Sequence, residues 1–199
     1  MDLCALPETI PMTGTQMPDP SRGSALIAEG GLVADEQVWV GATDSPFGPL
    51  FLAVTVRGVV RVGLPNQSSE ALVDELTAAL GAQVIESSAA VQAAARQVEE
   101  YFEGGRQRFD LELDLRLVDG FRRQVVEYLP NITFGEVASY GDVASALDNP
   151  KAMRAVGGAC AHNPVPLILP CHRVVRSDGS IGQYGGGTDM KRWLLDFER

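Results

Sequence analysis

The chain has 199 residues, enough for one large domain or two small ones, each with a buried core. It contains no run of about 18 apolar residues, which excludes an ordinary membrane-spanning helix. Its net charge of -10 at pH 7 argues against the broad basic surface that many nucleic-acid-binding proteins carry.

A flexible leader and a small sheet are predicted first. Residues 1–36 are rich in Pro, Gly, Thr and Met and show no periodicity, which is typical of a flexible segment. Three apolar runs separated by turn residues then predict a three-stranded meander. These runs are Val38–Val40, Leu50–Val54 and Val59–Val62.

Two helices and one more strand are predicted next. Ser69 can cap the first helix, and Ser88 can cap a second helix that Gly104 ends. The first helix has an apolar face formed by Leu72, Leu76 and Leu80. Between residues 109 and 115 apolar and charged residues alternate, which predicts a half-buried strand.

A boundary between two domains is predicted at residues 115–119, where the acidity of the chain ends. Residues 1–114 carry 6 Lys and Arg against 17 Asp and Glu, whereas residues 115–199 carry 10 against 9. The second part is therefore nearly neutral, and DNA binding there should involve few phosphate contacts and a shallow salt dependence. It is predicted to be mostly helical, with a first helix that ends at Pro130.

A helix-turn-helix arrangement is predicted over residues 139–161. Ser139 has the properties of an N-cap, with Asp142 in the first turn of the helix that follows. After a short turn, Asn149 and Pro150 should cap and begin another helix that runs to about Ala161. Two helices joined in this way can place the second one in a groove of DNA, although most such pairs bind nothing.

The motif Pro170-Cys171-His172-Arg173-Val174 is the most informative for function. A thiolate is a strong nucleophile, but a free cysteine is mostly protonated near neutral pH. An adjacent histidine can take the proton, so this pair indicates an activated nucleophile. The motif alone does not identify the electrophile.

Five motifs in this order resemble those of the O6-alkylguanine-DNA alkyltransferases. They are Arg154-Ala155-Val156-Gly157, Asn163-Pro164-Val165-Pro166, Pro170-Cys171-His172-Arg173-Val174, Gly182-Gln183-Tyr184-Gly185-Gly186-Gly187 and Lys191-Arg192-Trp193-Leu194-Leu195. The resemblance is strong from Phe121 onward, only architectural from Val38 to Leu115, and absent before Val38. It implies an α/β protein with a small RNase H-like domain of sheet and helices over 37–115 and a mostly helical, winged helix-turn-helix catalytic domain over 116–199. The leader over residues 1–36 has no counterpart in the family.

The resemblance implies direct-reversal DNA repair with a single turnover per molecule. A methyl or other alkyl group would pass from O6-alkylguanine, or from O4-methylthymine, to Cys171 after the base is flipped out of the duplex. By resemblance, His172 deprotonates Cys171 through a water molecule and Glu198 orients the imidazole. Tyr140 would donate a proton to the departing guanine and crowd its phosphate.

The resemblance also assigns DNA-binding and pocket residues. Arg154 would fill the gap left by the flipped base, while Ala155 and Gly157 let their helix approach the minor groove closely. Asn163 would be a hinge between the helix-turn-helix and the cysteine segment. The remaining pocket residues are Pro166 and Val174 as walls, the backbone of Tyr184, and Gly185, where some relatives carry a serine.

No metal or organic cofactor is implied. Cys160, His162, Cys171 and His172 do not have the spacing of the usual zinc ligands. The three cysteines form no disulfide framework, and the N-terminus lacks a basic secretory segment, so we expect a cytoplasmic protein with free thiols. The expected partner is double-stranded DNA containing alkylated bases, with no membrane; we expect a monomer, and cooperative binding along DNA stays open.

Two alternatives from other functional classes remain. A non-catalytic protein of the same fold could bind alkyl lesions and recruit repair factors, although such relatives lack the cysteine. A Cys-His hydrolase or acyl transferase would need neither Arg154 nor a helix-turn-helix. A transcriptional sensor is a weaker third alternative, because no second effector domain is visible in the sequence.

Overall fold

The computed structural model of the protein describes residues 37–199, so the predicted leader lies outside the described residues. The N-terminal part is a four-stranded sheet with two helices. Its elements are β1 (Gln37–Thr43), β2 (Leu50–Thr55), β3 (Gly58–Gly63), α1 (Ser69–Leu80), β4 (Gln83–Glu86) and α2 (Ser88–Phe102). The strand order is β3-β2-β1-β4, with antiparallel pairing except between β1 and β4. The predicted meander is confirmed, whereas β4 was not predicted.

Two helix starts differ from the prediction by one residue. Ser68 caps α1 and Ser87 caps α2, each accepting a hydrogen bond from the backbone N–H three residues later. Ser69 and Ser88 are instead the first helical residues. A pair of consecutive serines offers two equivalent caps to sequence analysis, and only the backbone conformation chooses between them.

The predicted strand over residues 109–115 is wrong. This segment forms a single bridge to β3, in which Val59 N–H donates to Glu112 O and Asp114 N–H donates to Val59 O, both at 2.9 Å. The side chain of Gln97 in α2 donates from Nε2 to Asp110 O and accepts from Asp110 N–H at Oε1, both at 2.8 Å. The backbone of Asp110 is thus bonded by a helix side chain, and the rest of the segment makes one bridge in place of a full strand pairing.

The C-terminal part is mostly helical. Its elements are α3 (Gly120–Tyr128), a 3-10 helix (Leu129–Asn131), β5 (Ala138–Ser139), α4 (Tyr140–Ala146), α5 (Met153–Ala161), a second 3-10 helix (Cys171–Arg173), β6 (Val174–Val175) and α6 (Thr188–Phe197). Strands β5 and β6 form a short parallel pair, which fixes the start of α4 beside the cysteine segment.

The predicted cap of α4 is confirmed and that of α5 is wrong. Ser139 Oγ accepts from Asp142 N–H at 3.0 Å, and the Asp142 carboxylate accepts from Ser139 N–H at 2.8 Å, a complete capping box. Helix α5 begins only at Met153. Asn149 O accepts from Ala152 N–H at 2.9 Å, so Asn149 and Pro150 belong to the preceding turn.

The two parts share one apolar core. Leu52 and Val62 of the sheet belong to the same buried cluster as Val125 of α3, Val156 of α5 and Cys171. Within residues 37–199, no helix has the length and apolar character needed to cross a membrane. The shared core places the cysteine segment between the sheet and the helix-turn-helix.

Candidate active site

Cys171 is the first residue of the second 3-10 helix and is buried. The residue is 3% exposed, and its backbone N–H donates to Leu169 O at 2.8 Å. It lines a cavity of about 380 Å³. Of the predicted pocket residues, Asn163, Pro166, Tyr184 and Gly185 also line this cavity. A thiol at the wall of such a cavity can meet a group that enters from outside.

His172 and Glu198 form a buried pair directly beside Cys171. The Nε2 atom of His172 lies 2.8 Å from Glu198 Oε1, and His172 is 0% exposed. Burial lowers the pKa of His172, although the carboxylate of Glu198 acts in the opposite direction. The imidazole is therefore neutral near pH 7 and must donate Nε2–H to the carboxylate, which leaves the lone pair on Nδ1.

That Nδ1 atom is buried and has no hydrogen-bond partner among residues 37–199. An unpaired buried acceptor is costly, so it calls for an explanation. The explanation we favour is that this nitrogen acts as a general base and receives a proton during the reaction. The tautomer set by Glu198 thus presents the basic nitrogen of His172 away from the carboxylate.

Glu198 is held by more than His172. Arg173 donates from Nε to Oε2 at 2.8 Å and from Nη2 to Oε1 at 3.0 Å. Tyr101 Oη donates to Oε1 at 2.6 Å, and Gly135 N–H donates to Oε2 at 3.5 Å. Burial alone would raise the pKa of Glu198, but the hydrogen bonds from His172, Arg173 and Tyr101 lower it to about 2. The carboxylate is therefore ionised at every physiological pH.

The Cys171 thiol is protonated in the resting protein. Burial raises its pKa, while a hydrogen bond with the Asn163 side chain and the charge of Lys191 act in the opposite direction. Asn163 lies two residues after the end of α5. It donates from Nδ2 to Leu169 O at 2.8 Å and accepts from Val165 N–H at 3.0 Å. It ties the end of the helix-turn-helix to the segment that carries Cys171.

Tyr140 is the first residue of α4 and is half-buried. Its ring and hydroxyl lie against Gly182, where a Cβ atom would have no room, and its ring also faces Gly157. Burial raises the pKa of Tyr140, and the neighbouring thiols of Cys160 and Cys171 add to the shift. The phenol is therefore neutral and able to donate a hydrogen bond near the thiol.

The remaining predicted residues do not line the cavity. Arg154 and Ala155 are exposed on α5. Val174 is fully buried and does not line the cavity; its carbonyl accepts from Lys191 Nζ at 2.6 Å. Within the described part of the chain, no three His, Cys, Asp or Glu side chains are grouped so that they could hold a metal ion.

Three residues of the site were not predicted from the sequence. Arg173 follows His172 directly in the motif, and this position could have indicated that Arg173 belongs to the site. Lys191 is 1% exposed on an apolar helix face, and its place one turn before Leu194 and Leu195 could have indicated burial. Tyr101 gave no such signal, since it reaches Glu198 from α2, 97 residues away in the chain.

The fold and the site define a helix-turn-helix protein in which a cysteine that lines a cavity is followed in the chain by a buried histidine paired with a glutamate. Residues 120–199 match the family described as 6-O-methylguanine DNA methyltransferase, DNA binding domain. Residues 38–115 match that described as 6-O-methylguanine DNA methyltransferase, ribonuclease-like domain. The chain therefore belongs to the 6-O-methylguanine DNA methyltransferase family, which confirms the resemblance and the two-part α/β fold inferred from the sequence.

Individual relatives agree with this assignment. The methylated-DNA–protein-cysteine methyltransferase of Mycobacterium bovis is 40% identical over 156 residues, which cover 78% of this chain and 89% of that protein. The protein of the same name from Methanosarcina barkeri is 37% identical over 155 residues, covering 78% and 93%. The crystal structure of Mycobacterium tuberculosis OGT in complex with DNA superposes with a TM-score of 0.70 at 36% identity, covering 81% of this chain and 92% of that one.

Proposed function

We propose that this protein repairs O6-alkylguanine in duplex DNA by moving the alkyl group onto Cys171, once per molecule. The observation that carries the proposal is the unpaired Nδ1 of His172, the residue that follows Cys171 in the chain, together with the cavity that Cys171 lines. The family assignment and the DNA complex of a relative support duplex DNA as the partner.

The chemistry is a displacement at the alkyl carbon. His172 Nδ1 takes the thiol proton through one water molecule. The Cys171 sulfur then forms a bond to the alkyl carbon while the bond between that carbon and O6 of guanine breaks. The electron pair of that bond stays with the guanine, which becomes anionic and gains a proton. Tyr140 donates to the departing base, and the thioether on Cys171 is not reversed.

The lesion must leave the base stack to reach Cys171. Flipping costs a few kcal/mol of unstacking and unpairing. Arg154 and Ala155 are exposed on α5, and Gly157 adds no side chain to this helix. The helix can therefore lie in the minor groove, with Arg154 in the gap that the flipped base leaves in the stack. The nearly neutral charge of residues 115–199 suits such contacts, which depend on shape more than on phosphate charge.

The test uses full-length protein and a duplex with a labelled O6-methyl group. Peptide mass spectrometry should find the label on the peptide that contains Cys171, and Cys171→Ser should receive none. Lesion binding without transfer would favour a recruiter of repair factors, and repeated hydrolysis of a small ester would favour a Cys-His hydrolase. Cys160→Ser, which removes a different thiol, is the matched control.

Replacement of Tyr140 with phenylalanine should slow methyl transfer by roughly 10- to 100-fold, because it removes the proton donor and keeps the ring. Binding of the methylated duplex should change little. Single-turnover transfer rates and equilibrium binding measure the two effects separately. Loss of binding with an unchanged transfer rate would assign Tyr140 to DNA contact alone.

We further propose that the protein acts as a monomer in the cytoplasm, without a metal or organic cofactor. The three predicted segments, 1–36, 37–115 and 116–199, remain the proposed division of the chain. Sedimentation of the full-length protein with and without DNA tests the monomer and the open question of cooperative binding.

A further inference from the structure

Tyr101 connects the N-terminal part of the protein to the buried carboxylate of the site. It lies in α2, is 0% exposed, and donates from Oη to Glu198 Oε1 at 2.6 Å. The same oxygen accepts from His172 Nε2 at 2.8 Å and from Arg173 Nη2 at 3.0 Å. A tyrosine of the first domain and the histidine of the second therefore share one acceptor atom.

The ring of Tyr101 is fixed by its neighbours. Four phenylalanines surround it at centroid distances of 5.1 to 6.2 Å, and they are Phe102, Phe109, Phe134 and Phe197. Phe197 adjoins Glu198 in the chain, so the same packing holds both hydrogen-bond partners. This arrangement leaves the hydroxyl little freedom to point elsewhere.

Sharing of Oε1 has a chemical consequence for His172. Each donor on the oxygen draws negative charge toward itself and weakens the oxygen as an acceptor for the other donors. The Tyr101 hydroxyl thereby limits how strongly Glu198 stabilises a protonated imidazole, and it keeps the carboxylate in the orientation that sets the tautomer of His172.

From this geometry we propose that Tyr101 is a positioning residue for alkyl transfer: it sets the orientation and acceptor strength of Glu198, and through Glu198 the basicity of His172. The role in transfer rests on the function proposed above, whereas the effect on His172 does not. The N-terminal part then completes the active site and is more than a support for the second part.

The groups around His172 and Glu198 set the background for a pH test. Arg173 faces the pair from the same 3-10 helix, Lys191 from α6, and Tyr184 from the loop before α6, with its ring 6.4 Å from that of His172. Cys171 precedes His172, and Gly135 adds a backbone donor. Tyr101→Phe leaves all these groups in place and removes one oxygen atom.

The experiment measures His172 and transfer independently. The chain has only two histidines, so NMR of histidine-labelled full-length protein without DNA can follow His172, with exposed His162 as an internal reference. In Tyr101→Phe we expect the pKa of His172 to rise, the acid limb of the transfer rate to move to higher pH, and transfer at pH 7 to slow about tenfold. Tyr128→Phe, at a half-buried tyrosine of α3, is the matched control and should change none of these.

Each outcome supports or overturns either the positioning role of Tyr101 or the proposed function. An unchanged His172 titration in folded Tyr101→Phe overturns the positioning role, even if the variant is less stable. A shifted His172 titration in a protein whose wild type transfers no methyl group supports the coupling and overturns the proposed function. In the wild type, a Tyr101 hydroxyl proton that exchanges freely with water would contradict the bond to Glu198 without any variant.

Discussion

Replacement of Glu198 with glutamine should lower the free energy of unfolding by about 3–5 kcal/mol, the usual loss when one partner of a buried ion pair is removed. Arg173 would stay buried without a counter-charge, since its Nε and Nη2 both donate to this carboxylate. Alkyl transfer should also slow strongly, because a neutral amide no longer fixes the tautomer of His172. Urea unfolding and single-turnover transfer measure the two losses.

The control for this variant is Glu127→Gln. Glu127 forms an exposed ion pair with Arg123 one helical turn away, and such pairs contribute about 0–1 kcal/mol. Equal losses of stability in both variants would contradict the role given to the buried pair.

The same pair predicts a pH dependence of stability. The pKa of Glu198 is about 2 in the folded protein against a usual value of 4.5, so its contribution is fully present above pH 4.5 and is lost as the pH falls toward 2. Glu198→Gln should not show this part of the loss.

Replacement of His172 with alanine should slow alkyl transfer by about 100- to 10,000-fold at pH 7, the range expected for loss of a general base. The rate should then rise with pH as the thiol itself ionises, and burial, which raises the pKa of Cys171, places that rise at alkaline pH. Single-turnover assays from pH 6 upward give the profile.

Two further measurements make the His172 result specific. Binding of the methylated duplex should be retained in His172→Ala. His162→Ala, at the histidine that lines the cavity, keeps the proposed base and should therefore keep the wild-type dependence of the transfer rate on pH. A His172→Ala protein that transfers as fast as the wild type would remove the base from the mechanism.

Local signals in the sequence predicted local structure where neighbouring residues supply both hydrogen-bond partners. Ser139 and Asp142 are three residues apart, and their capping box depends on little else. The alternation over residues 109–115 predicted a strand, but the same pattern occurs here in a segment that makes one bridge to β3 and whose Asp110 backbone is bonded by Gln97. Strand β4 has only four residues and depends on its partner β1 for its definition.

The site was predictable only in part for a similar reason. Cys171 and His172 are adjacent in the chain, so a nucleophile and its base can be recognised from the sequence alone. Glu198 was reached through family resemblance, because its distance of 26 residues from His172 has no local pattern. Tyr101 could not be found at all, since only the packing of α2 against α6 brings its hydroxyl to the carboxylate.

The most direct test counts methyl groups. Full-length protein is incubated with an excess of duplex containing O6-methylguanine, and intact-protein and peptide mass spectrometry follow the reaction to its end. We expect one methyl group per molecule, on Cys171, with no further demethylation of DNA once every molecule carries it. Continued demethylation by already methylated protein, or a methyl group on any other residue, would contradict single transfer to Cys171.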